Sequence, residues 1–178
     1  PLNRTISGKK AGILGLGRIG SAIADRLSAF KMDIHYYARS KKSTADSWTY
    51  HADPVALAHK VDFLFVALVG GEETSKFASA EVIRALGPDG ILINISRGST
   101  VDEDALLKAL ETKALRGAAL DVFAGEPNIN PKFLELDNVF MQPHQGSGTV
   151  ETREAMSKLQ RDNLSNFFAN RALLTPVN

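Results

Sequence analysis

Residues Ala11 to Gly20 read AGILGLGRIG, an apolar run that is interrupted by Gly15, Gly17 and Gly20 before a helical pattern begins. The run predicts a buried strand that ends in a tight turn at Gly15. The absence of a side chain at Gly17 lets a pyrophosphate approach the backbone, and Gly20 lets the following helix pack closely on the strand. The spacing therefore predicts a strand-turn-helix cradle for the phosphates of a dinucleotide.

The first helical residues support this interpretation. Arg18, Ile19 and Gly20 present backbone N–H groups at the partially positive end of a helix, where anions bind. The alternative is that the three glycines only make a tight turn. A strand pattern before the motif and a helical pattern after it favour the dinucleotide site. The cofactor-binding candidates here are Gly15, Gly17, Arg18, Ile19 and Gly20.

Composition excludes several other classes of function. The chain has 178 residues, of which 44% are hydrophobic, so we expect one dinucleotide-binding domain over residues 1–178 with one sizeable core. A net charge of +1 gives no electrostatic reason for a nucleic-acid or membrane partner. Since no apolar run is long enough to span a bilayer and cysteine is absent, we expect a soluble, cytoplasmic domain without disulfides. We assign no metal site.

Strand and helix patterns alternate along the rest of the chain. This alternation predicts an α/β fold, a doubly wound parallel sheet of the Rossmann type with helices on both faces. The predicted strands after the first are 33–38, 62–67, 91–95, 117–122 and 139–142, and the predicted helices are 18–30, 54–60, 79–86, 101–110 and 150–169.

The end of the second predicted strand decides the choice of cofactor. A fold of this type that selects NAD places Asp or Glu about twenty residues beyond the glycines, whereas an Arg there accommodates the 2′-phosphate of NADP. Arg39 holds this place, followed by Ser40 and Lys41. A guanidinium binds phosphate through two N–H groups, a serine adds a donor and a lysine a positive charge. The alternative, ordinary solvated loop charges, is the interpretation that we favour for Lys42.

Unusual polar residues follow the later strands, at the edge where ligands bind in such sheets. Arg97 follows one strand, Asp121 and Glu126 follow the next, and His144 follows the last. Arg97 is suited to hold a keto acid by its carboxylate, His144 to transfer the hydroxyl proton, and Glu126 to orient the imidazole. Each residue also has an interpretation without a catalytic role: Arg97 caps a helix, Glu126 is an ordinary surface residue, and His144 is satisfied by hydrogen bonds within a loop.

Four long motifs resemble the D-isomer-specific 2-hydroxyacid dehydrogenases. They are GLGRIG at 15–20, INISRGSTVDEDAL at 93–106, GAALDVFAGEP at 117–127 and QPHQGSGTVETR at 142–153. The resemblance implies that Arg97 binds substrate, that Glu126 and His144 form the acid/base pair, and that Asp121 contacts the nicotinamide carboxamide. It also implies hydride transfer between NAD(P)H and a small 2-keto acid.

The segments 39–42 and 143–153 are most similar to NADPH-using glyoxylate, hydroxypyruvate and hydroxyphenylpyruvate reductases. We therefore expect NADP(H) as the cofactor, with NAD less favoured. The chain departs from the family at Val69-Gly70-Gly71, where many members carry a loop of the Pro-x-Thr-Pro type. The departure puts that loop's usual cofactor contacts in question.

The resemblance further implies a second, N-terminal substrate domain, which we expect to precede Pro1 in a longer protein. It also implies a homodimer formed through the present domain, for which the apolar segment 106–115 is a candidate surface unless its leucines are core. Two rival functions stay open. One is an NAD-linked dehydrogenase of the phosphoglycerate or formate type, and the other is a non-catalytic dinucleotide-sensing, dimerising corepressor-type module.

Overall fold

A parallel sheet organises the first 143 residues. The computed structural model describes residues 4–45 and 47–177, and within them seven strands pair in the order β3-β2-β1-β4-β5-β6-β7, all parallel. Because the order reverses between β1 and β4, a crevice opens at the carboxyl ends of these two strands. The strands are β1 (Lys10–Leu14), β2 (Asp33–Tyr37), β3 (Thr49–His51), β4 (Phe63–Val66), β5 (Ile91–Asn94), β6 (Gly117–Leu120) and β7 (Val139–Met141).

Most helices begin at a side chain that accepts a hydrogen bond from the first turn. Asp53 accepts from the backbone N–H groups of Val55 and Ala56, and Ser79 and Asp102 cap the next two helices in the same way. Such caps satisfy N–H groups that have no intrahelical acceptor. The helices are α1 (Arg18–Ala29), α2 (Pro54–Ala58), α3 (Ala80–Leu86), α4 (Glu103–Glu111) and α5 (Val150–Phe168).

Two apolar cores cover the opposite faces of the sheet. Ala11 and Ile13 of β1 pack in the core under α1, whereas Leu14 packs in the larger core with α2, α3 and α4. Successive residues of a strand point to opposite faces, so a strand buried on both sides reads as a continuous apolar run. The predicted doubly wound fold is confirmed.

Three details differ from the sequence prediction. Strand β3 was not predicted, and α4 begins at Glu103 rather than at Val101, whose backbone instead bridges to Ala78. The proposed dimer surface over 106–115 is wrong as an exposed patch, because its leucines lie in the larger core. Leu106, Leu107, Leu110 and Leu115 are each less than 5% exposed.

A histidine pair joins β2 to the edge strand β3. His35 Nδ1 lies 2.9 Å from His51 Nε2, and His35 Nε2 lies 3.1 Å from the Asp33 carboxylate. Burial lowers the pKa of His51, and nearby His35 and Lys60 lower it further. These contacts hold the edge strand β3 against β2.

A second compact unit begins at His144 and contains α5. Thr149 caps α5, and the Asn163 carboxamide oxygen accepts from the backbone N–H groups of Leu174 and Thr175, which ties the following segment to the helix. Within the described part of the chain, α5 has no buried residue. Among the described residues, no helix is long and apolar enough to cross a membrane.

Candidate cofactor and substrate site

Gly15 makes the turn that closes β1 and brings three strand ends together. It adopts a φ of +97°, which side chains disfavour, and its N–H donates to the carbonyl of Tyr37 at the end of β2 over 3.0 Å. A Cβ at this position would lie 2.8 Å from the carbonyl oxygen of Ala67, just beyond β4. The glycine therefore allows β1, β2 and β4 to converge at the crevice.

Gly17 and Gly20 are required for different reasons. A Cβ at Gly20 would overlap the carbonyl oxygen of Gly15, so this glycine permits the contact between α1 and the turn. A Cβ at Gly17 would meet no protein atom within 4 Å. The space beside Gly17 is open, as a pyrophosphate-binding turn requires.

The beginning of α1 provides the donors for such a phosphate. Gly17 is the N-cap, and no side chain among the described residues caps the helix there. Arg18, Ile19 and Gly20 are the first helical residues, whose N–H groups precede the first intrahelical bond, from Ser21 N–H to Gly17 O. The residues present therefore fit a dinucleotide phosphate at the turn.

Arg39, Ser40 and Lys41 are all exposed immediately beyond β2. The Tyr36 hydroxyl accepts a hydrogen bond from the backbone N–H of Lys42 over 3.0 Å, which fastens the end of this segment to the sheet. Since β2 lies next to β1, the segment occupies the same edge of the sheet as the glycine turn. Its two cations suit a phosphate group on the adenosine end of a dinucleotide.

Arg97 follows β5 and is exposed. One guanidinium nitrogen, Nη1, donates to the carbonyl of Ser96 over 2.6 Å. The side-chain stem lies against the loop after β4, because a Cβ at Gly70 would come within 2.6 Å of Arg97 Cγ. Thr74 Oγ1 donates to the carbonyl of Val69 over 2.6 Å and holds this loop closed. The unusual Val69-Gly70-Gly71 sequence thus makes room for Arg97.

Sequence reasoning missed the polar side chains beneath Arg97. Asn94 and Thr100 both donate to the Arg97 carbonyl, over 3.0 and 2.7 Å, and both are almost completely buried. Ser96 bridges them through its hydroxyl. One signal was available: in β5 Asn94 shares the buried face with Leu92, and a buried polar group has to be paired.

The loop that follows β6 carries the two predicted carboxylates. Asp121 is 8% exposed, and its backbone N–H donates to the carbonyl of Asn94 over 3.0 Å. Glu126 is exposed, and its Oε1 accepts from the backbone N–H of Phe123 over 2.7 Å. A Cβ at Gly98 would overlap the backbone of Phe123, so the loops of Arg97 and Glu126 touch.

His144 lies three residues beyond the end of β7 and is the first residue of the second unit. Its φ of +54° places it in the left-handed region, which few side chains adopt. The structure therefore brings the predicted residues of the first unit to one edge of the sheet, whereas His144 belongs to the other unit. The site residues of the first unit at this edge are Gly15, Gly17, Arg18, Ile19, Gly20, Arg39, Ser40, Lys41, Arg97, Asp121 and Glu126.

Three known proteins with similar sequences are reductases. The chain is 48% identical to a 2-ketogluconate reductase of Gluconobacter oxydans over 177 residues, covering 99% of the chain and 57% of that protein. It is 49% identical to a hydroxyphenylpyruvate reductase of Plectranthus scutellarioides, with 99% and 56% covered. A glyoxylate/hydroxypyruvate reductase of Arabidopsis thaliana is 48% identical, also with 99% and 56% covered. The chain thus spans just over half the length of these relatives.

Two solved structures are similar to this chain in both fold and sequence. A 2-hydroxyacid dehydrogenase from Ketogulonicigenium vulgare superposes with a TM-score of 0.96 at 54% identity, covering 100% of this chain and 56% of the other. An NADPH-dependent glyoxylate/hydroxypyruvate reductase from Sinorhizobium meliloti, solved in complex with NADP and malonate, superposes with a TM-score of 0.92 at 48% identity, covering 96% and 53%.

A family model described as "D-isomer specific 2-hydroxyacid dehydrogenase, NAD binding domain" matches residues 1–146. This match includes the glycine turn of β1, the Arg97 loop, the loop of Asp121 and Glu126, and His144. With the parallel sheet and its convergent glycine turn, it leads to one conclusion: the chain belongs to the D-isomer-specific 2-hydroxyacid dehydrogenases and comprises their NAD-binding domain.

Proposed function

We propose that this chain is the cofactor-binding domain of a reductase that converts small 2-keto acids to D-2-hydroxy acids with NADPH, glyoxylate and hydroxypyruvate being the first candidates. In this proposal, a substrate domain is joined to the chain in the complete enzyme. The observation that carries the proposal is the contact of the Arg97 loop with the loop of Asp121 and Glu126 at Gly98. This contact supports the proposal because it joins the loop of Arg97, the proposed substrate-binding cation, to the loop that carries the two carboxylates.

Each site residue has its own role in the proposed reaction. Bound NADPH would supply a hydride to the keto carbon. Arg97 holds the substrate carboxylate through charge-assisted hydrogen bonds, His144 donates a proton to the carbonyl oxygen, and Glu126 is the carboxylate of the acid/base pair. Gly15, Gly17 and the N–H groups that open α1 hold the cofactor phosphates, and Asp121 receives the nicotinamide carboxamide.

Turnover by the complete enzyme tests the proposal against its rivals. The assay follows NADPH oxidation with glyoxylate, hydroxypyruvate, 2-ketogluconate and hydroxyphenylpyruvate, and compares the complete enzyme with the 178-residue chain. We expect turnover by the complete enzyme and very little by the chain alone, because positioning in a closed cleft supplies much of the rate enhancement. Cofactor binding without turnover by the complete enzyme would favour the dinucleotide-sensing module.

Replacing Arg39 by alanine is expected to weaken NADPH binding and leave NADH binding unchanged. A bidentate guanidinium contact to the 2′-phosphate is worth about 1.5 to 3 kcal/mol, so the dissociation constant for NADPH should rise at least about tenfold. Fluorescence titration with both cofactors measures this effect. The matched control is Lys42→Ala, which removes a neighbouring exposed charge but keeps the backbone hydrogen bond to Tyr36. Unchanged selectivity in Arg39→Ala would assign the phosphate contact elsewhere.

The proposal includes a homodimer formed through this domain, supported by family membership and no longer by the buried leucines of 106–115. Sedimentation of the complete enzyme at tens of micromolar checks it. We expect a single dimeric species whose mass does not change on dilution through the micromolar range, because a dimer whose dissociation constant lies well below these concentrations stays associated. A strictly monomeric enzyme would remove the dimer from the proposal.

A further inference from the structure

Three buried polar side chains lie beneath Arg97 and have no part in the chemistry described so far. Asn94 is 1% exposed, Ser96 5% and Thr100 0%. Burying polar groups is costly unless each finds a partner, so such a cluster at the mouth of a site needs an explanation. The hydrogen-bond partners of these three side chains show which part of the backbone the cluster holds in place.

The cluster holds the backbone of Arg97. Asn94 Nδ2 and Thr100 Oγ1 donate to the same carbonyl oxygen, that of Arg97, over 3.0 and 2.7 Å. Asn94 Oδ1 accepts from both the backbone N–H and the hydroxyl of Ser96, each over 3.0 Å, and the Ser96 and Thr100 hydroxyls lie 2.8 Å apart. The carbonyl is therefore fixed by two donors that are themselves fixed.

The side chain of Arg97, in contrast, has few restraints beyond its base. It is exposed, with its stem against Gly70 and one nitrogen on the carbonyl of Ser96. The direction in which a long side chain leaves the backbone sets where its guanidinium can reach, and a bidentate contact tolerates little misplacement. A small shift of the Arg97 backbone would therefore displace the guanidinium at the end of the side chain by a larger distance.

We infer that Thr100, acting with Asn94 and Ser96, is a positioning residue that aims Arg97 at the substrate carboxylate. The inference rests on the proposed function, in which Arg97 binds that carboxylate. The competing explanation is that the cluster only stabilises the turn after β5. A purely structural role would lower stability, cofactor binding and turnover together, whereas a positioning role raises the KM for the keto acid selectively.

Thr100→Val is the most direct test, because valine matches threonine in shape and leaves no buried donor unpaired. The Arg97 carbonyl keeps Asn94 Nδ2, and the Ser96 hydroxyl keeps Asn94 Oδ1. In the complete enzyme we expect the KM for glyoxylate to rise about tenfold, the size of one lost hydrogen bond, with kcat and the dissociation constant for NADPH changed less than about twofold. Thr100→Ser, which restores the hydroxyl, should return KM to near its original value.

The matched control is Thr112→Val, which removes another threonine hydroxyl that donates to a backbone carbonyl, that of Lys108, at the end of α4. It should leave KM unchanged. If Thr100→Val does not fold, Ser96→Ala loosens the same cluster and should raise KM in the same direction. A fall in kcat and NADPH affinity equal to the change in KM would overturn the inference in favour of a structural role.

Arg97→Ala separates failure of this inference from failure of the proposed function. If Arg97→Ala leaves KM unchanged, the assigned role of Arg97 is wrong. If Arg97→Ala raises KM but Thr100→Val does not, only the positioning role is wrong. If Arg97→Ala and Thr100→Val each raise KM, adding Thr100→Val to Arg97→Ala should produce no further rise, because the Thr100 hydroxyl acts through Arg97.

Discussion

Replacing His144 by alanine in the complete enzyme is expected to lower kcat by about 10² to 10⁴, the usual contribution of a general acid. The imidazole is the proposed source of the proton that reaches the carbonyl oxygen during reduction. The KM for the keto acid should change far less, because in the proposed function Arg97, not His144, contacts the substrate carboxylate. Steady-state NADPH oxidation with glyoxylate and hydroxypyruvate measures both constants.

A second histidine provides the control for this substitution. His59 is exposed at the C-cap of α2 and lies outside the proposed site, so His59→Ala should leave kcat unchanged. Glu126→Gln should cause a smaller loss than His144→Ala, since in the proposed function Glu126 assists the acid but is not itself the proton donor. A kcat within twofold of the unsubstituted enzyme after His144→Ala would show that another group supplies the proton.

Most of the fold could be predicted from the hydrophobic periodicity of the sequence, because most of its strands and helices have strong local signals. Buried parallel strands read as continuous apolar runs, as in Phe63–Val66, and helices such as α2 begin at a visible capping residue. Strand β3 has neither signal. Its three residues, Thr49–His51, are strand only because they pair with β2, and pairing across fourteen residues of sequence leaves no local period.

The candidate site was partly predictable for a related reason. Charged residues such as Arg97 and Asp121 stand out within three residues of the end of an apolar strand, so their place at the carboxyl edge follows from the strand order. The cluster of Asn94, Ser96 and Thr100 does not stand out, because each residue reads as an ordinary part of a polar turn. Only the convergence of two side-chain donors on one carbonyl, which depends on the path of the backbone, reveals the cluster.

Gly17 and Gly20 belong to one motif but have different surroundings, and alanine should therefore lower the free energy of unfolding at Gly20 but not at Gly17. At Gly20 the added Cβ overlaps the carbonyl oxygen of Gly15, a backbone atom that cannot move without displacing the turn. Overpacking of this kind costs typically 1 to 3 kcal/mol, and we expect about 3 kcal/mol or more here because backbone must shift. Gly20→Ala should lower both the free energy of unfolding and cofactor affinity.

At Gly17 the added Cβ meets no protein atom within 4 Å, and the φ of −87° is one that alanine adopts freely. As an N-cap, alanine is inferior to glycine by less than about 1 kcal/mol, so the free energy of unfolding should change little. The Cβ would instead occupy the space that we assign to the pyrophosphate. The dissociation constant for NADPH should then rise at least about tenfold, the equivalent of roughly 1.4 kcal/mol.

Urea unfolding and NADPH titration of both variants distinguish the two roles. The expected pattern is a stability loss in Gly20→Ala and a binding loss without a stability loss in Gly17→Ala. Gly8→Ala is a control for loss of stability away from the cofactor: Gly8 has a φ of +77°, which alanine disfavours, and it precedes β1, so the free energy of unfolding should fall while NADPH affinity stays unchanged. If Gly17→Ala bound NADPH as tightly as the unsubstituted chain, the phosphates would not approach the backbone at this glycine, and the open space beside it would need another explanation.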